Sequence, residues 1–271
     1  MAKPTIQHLW AHKKIADSAF LSSVDKMKNI RRKKNILLLT GSHLTHYVDY
    51  KRLMDKGYDT ISVNFGYLLP HAENFTYHFH GSIGYINKLA NCKTFKLFCD
   101  HFKGCHIFMV TTAKCSSPMY AIPTAASVRK CIINNNIKRY LIITHAMGHE
   151  IGQHGYSHIP DLTRYSPSSV PYGYGGTVSA MVVPFLLQLG YATIAVAGVG
   201  IWDNRHFYDD SYVNPTLYKP FAGNNKNIII ARWKGLRAMG EKNGTKIVAI
   251  PHSRLEKETR KTLITLPQER L

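Results

Sequence analysis

Short apolar runs that alternate with helical stretches constrain the fold of this chain more than any other feature of its sequence. Six runs have the length and composition of buried strands: 35–40, 60–63, 106–111, 140–144, 193–197 and 246–250. Stretches of helical character lie between them or precede the last strand: 49–56, 83–102, 121–134, 176–189 and 228–241. Continuous apolar runs are typical of parallel strands that are covered on both faces. The alternation therefore predicts an α/β fold with a Rossmann-like, doubly wound and mostly parallel sheet.

The regular pattern occupies only the middle of the chain and divides it into three segments. We expect a basic N-terminal arm over 1–34, one domain over 35–250 and a charged C-terminal tail over 251–271. Within the domain, 145–174 is rich in Gly, Pro, Ser, Tyr and His. An irregular stretch of that length inside a compact domain is usually a lid or a binding loop, and we expect a lid here.

The charge of the chain predicts an anionic partner. Lys and Arg number 35 against 16 Asp and Glu, a formal net charge of +19, while 45% of residues are hydrophobic, too many for a disordered polycation. The arm 1–34 holds nine Lys and Arg against two Asp, and it ends in the basic run 31–34. We expect the positive charge of this arm to contact an anionic membrane surface or glycolipid, since basic residues near such a surface attract its headgroups.

Cysteine usage and hydropathy predict a reduced compartment and no membrane span. The five cysteines form no C-x-x-C pair, and the first 34 residues lack the apolar core of a signal peptide. The apolar stretch 181–200 has the length of a span, but Pro184, Gln188 and Gly190 interrupt it. We therefore interpret it as a buried helix, a turn and a strand.

The ends of the first two predicted strands carry candidate ligand-binding residues, because doubly wound sheets bind ligands at the carboxyl ends of their strands. Gly41 and Ser42 follow the first strand, and a glycine there allows backbone N–H groups to approach a phosphate. Asn64 follows the second strand and offers both a donor and an acceptor. Neither a dinucleotide-binding glycine pattern nor a Walker motif is present, and plain turns remain an alternative at both places.

A glycine-rich turn precedes the apolar helix predicted over 176–189. Gly176 and Thr177 stand at its start, where free backbone N–H groups and a hydroxyl are suited to an anion. The alternative is a helix cap that holds no ligand.

The histidines of the predicted lid do not match a zinc site. His149 and Glu150 begin an H-E-x-x-H pattern, but Gln153 occupies the position of its second histidine. We expect a His- and Tyr-rich lid that contacts a polar ligand, and no metal.

The stretch after strand 193–197 concentrates groups with chemical capacity. It contains Gly198, Trp202, Asp203, His206 and Tyr208. Histidine titrates near neutral pH and is suited to general-base catalysis. A solvated loop anchored by a buried Trp is the alternative.

Several of these segments, taken in order, resemble a known family. The pieces are NILLLTGSHL at 35–44, DYKRL at 49–53, TISVNFGY at 60–67, GGTVSAMVVPFLLQLGYATIAVAG at 175–198 and KIVAIPHSRL at 246–255. The chain resembles the bacterial lipooligosaccharide sialyltransferases that use CMP-sialic acid, and their relatives among CMP-Kdo transferases. The resemblance implies a single nucleotide-binding domain of the sialyltransferase type.

The resemblance also implies roles for the candidate residues. Gly41, Ser42 and Asn64 would contact the donor nucleotide and its sugar acid, and Gly176 with Thr177 would hold the cytidine or its phosphate. In the loop after strand 193–197, we assign Gly198 and Trp202 to substrate binding, and Tyr208 is a candidate for the phosphate-binding tyrosines of the family.

The catalytic residues of the family are matched less closely. The family's base histidine lies before its penultimate helix, and 217–227 contains no histidine here; the acid after Gly198 is displaced to Asp203. We take His206 as the base and Asp203 as the displaced acid, and both as the catalytic residues. A lid histidine as base, or a retaining Kdo-type mechanism that uses Asp or Glu, remains an alternative.

These observations together predict a cytoplasmic glycosyltransferase, peripheral to the inner membrane, that transfers a sialic-acid or Kdo-type sugar acid. Its partners would be a nucleotide-sugar donor and a glycan or glycolipid acceptor, with no metal or other cofactor and with a homo-oligomer left open. One alternative is a Rossmann-like enzyme that handles phosphates or nucleotides. Another is a basic nucleic-acid-binding protein, which is disfavoured because the aromatic residues cluster with Asp and Glu at the strand ends.

Overall fold

A computed structural model describes residues 33–80, 106–111, 139–144, 178–199, 226–251 and 262–265 of the chain. Its strands are β1 (Asn35–Leu39), β2 (Asp59–Val63), β3 (Tyr77–His80), β4 (His106–Thr111), β5 (Arg139–Thr144), β6 (Thr193–Ala197), β7 (Lys246–Ala249) and β8 (Ile264–Thr265). Its α-helices are α1 (Tyr50–Asp55), α2 (Val183–Gln188) and α3 (Lys226–Lys242). Short 3₁₀ turns cover His43–Tyr47, Gly66–Leu68 and Ala72–Asn74, and a π-helical turn, Val178–Val182, leads into α2.

The described strands form one eight-stranded sheet in the order β5-β4-β3-β2-β1-β6-β7-β8. All of its neighbouring strands pair in parallel, so the predicted α/β fold with a Rossmann-like sheet is confirmed. The chain builds outward from β1 to β5 on one side and then returns to place β6 on the other side of β1.

Both faces of the central strands are covered, as the apolar runs predict. Residues 36–39 of β1 are fully buried and alternate between two cores. Ile36 and Leu38 pack with α2 and α3, whereas Leu37 and Leu39 pack with α1 and the segment before β3. Every residue of α2 is buried, which is typical of a helix that lies inside a fold rather than on its surface.

The apolar stretch 181–200 divides as the sequence predicts, into the end of a helix, a turn at Gly190 and the buried strand β6. Within the described residues, no helix has the length and apolarity needed to cross a membrane.

The sheet contains two strands that the sequence analysis did not predict. In β3, His78 and His80 alternate with Tyr77 and Phe79, so the segment lacks a continuous apolar run. β8 has only two residues and pairs with β7 beyond the predicted domain end at 250, which brings part of the predicted tail into the sheet. The predicted helices over 83–102 and 121–134, the lid 145–174 and residues 1–32 of the arm lie outside the described residues.

Candidate functional site

The topological switch point of the sheet lies between β1 and β6. The chain leaves β1 toward β2 on one side, and it leaves β6 toward β7 on the other. In open parallel sheets, the loops that diverge in this way leave a crevice at the carboxyl ends of the two strands, and ligands bind there. We call this side of the sheet the carboxyl edge and the opposite side the amino edge.

Three predicted site residues follow the carboxyl ends of neighbouring strands. Leu39 pairs with Ser62 of β2 and with Ala197 of β6. Thr40 and Gly41 follow Leu39 in the chain, Asn64 follows the last residue of β2 and Gly198 follows the last residue of β6. Gly41, Asn64 and Gly198 therefore follow the carboxyl ends of three adjacent strands, which lie about 4.8 Å apart in a sheet.

A hydrogen bond from a threonine hydroxyl connects the ends of β1 and β6, and a second threonine supports it. Thr40 Oγ1 donates to the Gly198 carbonyl at 3.0 Å and accepts from the Ser42 backbone N–H at 3.3 Å. Thr45 Oγ1 donates to the Thr40 carbonyl at 2.9 Å, and the two hydroxyls lie 3.3 Å apart. All of these groups are buried or half-buried, which strengthens each bond relative to water and fixes the turn that carries Gly41 and Ser42.

Gly198 allows this close approach because it has no side chain. Its backbone has φ +71°, in the left-handed region that favours glycine. A Cβ atom at this position would lie 2.8 Å from Thr40 Oγ1 and 2.8 Å from the Thr45 backbone nitrogen. Gly198 therefore packs against the β1 turn, and its lack of a side chain allows the two strand ends to lie close together.

Asn64 has a strained backbone at the same edge. Its φ is +52°, and its backbone N–H donates to the Phe79 carbonyl at 2.8 Å. A non-glycine residue in this region is uncommon, and such strain often accompanies a functional position. The half-buried Asn64 side chain stands at the end of β2.

Thr40, Thr45 and Tyr47 are residues of this edge that the sequence analysis missed. From the sequence alone, Thr40 is predicted as the last residue of a strand and Thr45 as part of a loop. Their contact forms only when the turn between them has folded. Tyr47 is 44% exposed and is the large hydrophobic side chain that remains exposed in the described part of the chain. An isolated Tyr after a strand carries no sequence signal of that exposure.

The π-helical turn Val178–Val182 follows the predicted anion-binding residues Gly176 and Thr177, which lie outside the described residues. In a π-helix each carbonyl accepts from the residue five positions later, and for Ser179 that residue is Pro184, which has no N–H. The side chain of Arg232 on α3 donates to the Ser179 carbonyl, with its Nε 3.1 Å from that oxygen. Arg232 could not be identified from the sequence, because an arginine inside an amphipathic helix carries no local signal of burial.

The remaining predicted site residues, Trp202, Asp203, His206 and Tyr208, also lie outside the described residues, as does the histidine-rich segment of the predicted lid. Across the ranges that the structure describes, no cluster of His, Cys, Asp or Glu has the arrangement of a metal site.

The amino edge of the sheet carries a different polar cluster. The Tyr191 hydroxyl donates to the Asp59 carboxylate at 3.0 Å and lies 3.5 Å from the Tyr77 hydroxyl. Burial, with smaller contributions from Tyr77 and Asp59, raises the pKa of the Tyr191 phenol far above its usual range. These residues are enclosed, so we assign the cluster to stability.

An open cleft of about 280 Å³ lies near the same edge, between α1 and the segment before β3. Its lining residues are Lys51, Met54, Asp55, Tyr58, Thr60, His71, Asn74 and Thr76. None of the predicted site residues is among them, and the position of a cleft alone is a weaker argument than the switch point of the sheet.

Comparison with known proteins gives a structural match only. No family model matches the chain, and no curated protein matches it by sequence. Among solved structures, the chain is similar to a variant of the sialyltransferase CST-II crystallised in complex with CMP, with a TM-score of 0.50, 12% sequence identity and coverage of 86% of each chain. The chain thus shares the Rossmann-like fold of a sialyltransferase.

Proposed function

We propose that this protein is a glycosyltransferase that moves a sialic-acid or Kdo-type sugar acid from a CMP-activated donor to a glycan or glycolipid acceptor. The observation that carries the proposal is the switch point between β1 and β6, where Gly41, Asn64 and Gly198 follow the carboxyl ends of β1, β2 and β6. Its support is the fold shared with a sialyltransferase that was crystallised with CMP.

In this proposal the donor lies across the carboxyl edge. The turn of Gly41 and Ser42 and the amide of Asn64 bind the nucleotide and the sugar acid, because backbone N–H groups and an amide suit phosphate and hydroxyl oxygens. Gly176 and Thr177 bind the cytidine or its phosphate. Trp202 and Tyr208 contact the substrate, and the Tyr208 hydroxyl binds its phosphate.

The proposed reaction is a direct displacement at the anomeric carbon. His206, oriented by Asp203, accepts the proton of an acceptor hydroxyl, and that oxygen forms a bond to the anomeric carbon as the bond to the phosphate oxygen of CMP breaks. CMP leaves with the bonding electron pair. Basic and hydroxyl groups around the phosphate stabilise the charge that develops there, and the proposal requires no metal.

Thermal unfolding with nucleotides tests the donor class. CMP at 100 times its dissociation constant is expected to stabilise the protein by about 2.7 kcal/mol, which corresponds to several degrees, whereas UDP and NAD are expected to have no effect. Stabilisation by UDP or NAD but not by CMP would overturn the donor assignment.

Hydrolysis tests the chemistry separately from binding. Incubation with CMP-sialic acid or CMP-Kdo is expected to release CMP slowly, with water as the acceptor. His206→Ala and Asp203→Ala, alone and combined, are expected to reduce this release by about 10²–10⁴-fold. Undiminished release from the double variant would remove both residues from the catalytic assignment.

In this proposal the basic arm 1–34 contacts an anionic membrane surface, which is consistent with a glycolipid acceptor. At its end, Lys33 and Lys34 are exposed where the chain enters β1. Sedimentation with vesicles that contain an anionic lipid is expected to recover the protein, and replacement of residues 31–34 by Gln is expected to weaken this recovery. Equal recovery with neutral vesicles would contradict the electrostatic contact.

A further inference from the structure

His78 on β3 is a fully buried histidine outside the proposed donor site. Its side chain has 0% of its surface exposed, and its Nδ1 lies 2.8 Å from the hydroxyl of Ser62, the paired residue on β2. Burial of an imidazole is unfavourable unless the ring is hydrogen-bonded, and an apolar residue would fill the same place at less cost. The pair of His78 and Ser62 is therefore a candidate for a specific role.

Ser62 contacts the turn that follows β2. A Cβ atom added to Gly66 would lie 2.5 Å from Ser62 Cβ and 2.9 Å from Ser62 Oγ, so the Gly66 backbone packs directly on the Ser62 side chain. The backbone of Gly66 is not in the left-handed region, so the close packing, and not the backbone conformation, requires glycine here. The hydrogen bond to His78 thus holds the hydroxyl against which the turn packs.

Asn64 is the first residue of that turn and is held by the same strand. Its backbone has φ +52°, and its N–H donates to the carbonyl of Phe79, the residue after His78. A strained backbone persists only where the surrounding structure holds it in place. β3 supplies two such restraints: a carbonyl that holds Asn64 directly, and the His78 imidazole, which acts through Ser62 on the turn two residues later.

We propose that His78 is a positioning residue that, through Ser62, holds the turn presenting the Asn64 amide to the donor nucleotide. This inference rests on the proposed function, in which Asn64 binds the donor. Its consequence is that the affinity for CMP depends on the hydrogen bond of His78 and not on the volume of its ring.

Two substitutions of His78 separate the hydrogen bond from the packing. Phe keeps a ring but lacks Nδ1, whereas Asn leaves a cavity but has an amide atom at the position of Nδ1. Measured by titration calorimetry, His78→Phe is expected to weaken CMP binding about 5–10-fold, and His78→Asn to keep the affinity within about twofold despite the cavity. A histidine that serves only packing would give equal losses or the opposite order, and either result would overturn the inference.

Ser62→Ala removes the same hydrogen bond from the β2 side by the loss of one atom, so it supplies the readout if His78→Phe does not fold. It is expected to weaken CMP binding by a similar factor. The control is Thr76→Val, two residues before His78, where the Thr76 hydroxyl accepts from the Thr60 N–H at 3.0 Å. This variant is expected to lose stability but keep the affinity of the wild type. Equal losses of affinity in Thr76→Val and Ser62→Ala would show that any break between β2 and the β3 segment weakens the site, and would overturn the specific role of His78.

The Asn64→Gly background tests whether His78 acts through Asn64. Because that variant lacks the amide, adding His78→Phe is expected to reduce its affinity for CMP by less than about twofold, a non-additive result. Full additivity would show that His78 affects CMP binding by another route, and would overturn the inference. A wild-type protein that does not bind CMP would overturn the proposed function and this inference together, whereas the negative results in the His78 and Ser62 variants overturn the inference alone.

Discussion

The hydroxyl of Thr40 donates a 3.0 Å hydrogen bond to the carbonyl of Gly198, and this contact joins the ends of two neighbouring strands that are 158 residues apart in the chain. It lies at the switch point of the sheet, directly below the turn that carries Gly41 and Ser42. The shape of the proposed donor site therefore depends on a small buried contact between backbone and hydroxyl groups.

Gly198→Ala is expected to be strongly destabilising. The left-handed backbone at φ +71° and the contacts of 2.8 Å that a Cβ would make with Thr40 and Thr45 together predict a loss of about 2–5 kcal/mol in the free energy of unfolding. Chemical denaturation measures this loss.

Gly244→Ala is the matched control for that prediction. Gly244 has a similar φ of +75°, but a Cβ there would meet no atom within 4 Å. Only the backbone contribution of about 1–2 kcal/mol is expected. Equal losses in the two variants would show that the close approach of Gly198 to the threonines is not energetically important.

Thr40→Val is expected to reduce both stability and CMP binding. Valine preserves the shape of the side chain but removes the hydroxyl that contacts Gly198 and Ser42. Because those two backbone groups lose this hydrogen bond, the free energy of unfolding is expected to fall by about 1–3 kcal/mol. Because the same hydroxyl fixes the β1 turn, the stabilisation by CMP in thermal unfolding is expected to decrease as well.

Thr245→Val separates the two effects. Thr245 is also buried, and its hydroxyl donates to the Tyr191 carbonyl at 2.7 Å, but it lies at the amino edge, before β7. A similar loss of stability with unchanged stabilisation by CMP is expected. If both variants lose CMP binding equally, the loss reflects general loosening of the sheet and the role of the β1 turn is refuted.

The sequence predicted the sheet well because its strands are locally encoded, whereas the contacts that shape the site are not. The continuous run of β1 identifies a buried strand without any knowledge of its neighbours. By contrast, the adjacency of β1 and β6 depends on the path of the whole chain, and the pairing of Thr40 with Thr45 depends on a 3₁₀ turn that the local sequence does not predict.

β3 illustrates the same limit for a strand. Its histidines reduce the apolar pattern, yet His78 is fully buried and lies 2.8 Å, through Nδ1, from the Ser62 hydroxyl on β2. A partner on another strand reduces the cost of that burial, and local sequence patterns do not contain the partner. Arg232 escaped prediction for the same reason, since Ser179 lies 53 residues earlier.

Asn64→Gly is expected to weaken nucleotide binding with little effect on stability. Glycine relieves the left-handed backbone at φ +52°, which offsets its larger entropy in the unfolded chain, so the free energy of unfolding is expected to change by less than about 1 kcal/mol. The variant lacks the amide, and the stabilisation by CMP is expected to decrease.

The control for Asn64 is His71→Gly, at the other described non-glycine residue with positive φ. His71 is exposed and lines the cleft near the amino edge. It is expected to show a similarly small change in stability and the full CMP response. Intact CMP binding in Asn64→Gly would remove Asn64 from the donor site.

Tyr191→Phe is expected to change how stability depends on pH in alkaline solution. The folded protein raises the pKa of Tyr191 above the value of 10.0 for an unperturbed phenol, chiefly because the group is buried. The unfolded chain therefore releases this proton first, so the stabilising contribution is fully present below pH 10 and is lost as the pH rises above it. The slope for one such group approaches about 1.4 kcal/mol per pH unit.

Denaturation between pH 9 and 11.5 measures this slope in the wild type and in Tyr191→Phe. The variant loses the hydrogen bond to Asp59, so it is expected to be less stable by about 1–3 kcal/mol at pH 9, and the gap is expected to narrow above pH 10 because Phe releases no proton. Tyr50→Phe serves as a comparison: burial, with a smaller contribution from Glu73, raises the pKa of Tyr50 to about 12, so its gap to the wild type is also expected to narrow between pH 10 and 11.5. A gap between wild type and Tyr191→Phe that stays constant from pH 9 to 11.5 would show that the Tyr191 phenol ionises in the folded protein, and the enclosed cluster at the amino edge would then be open to solvent.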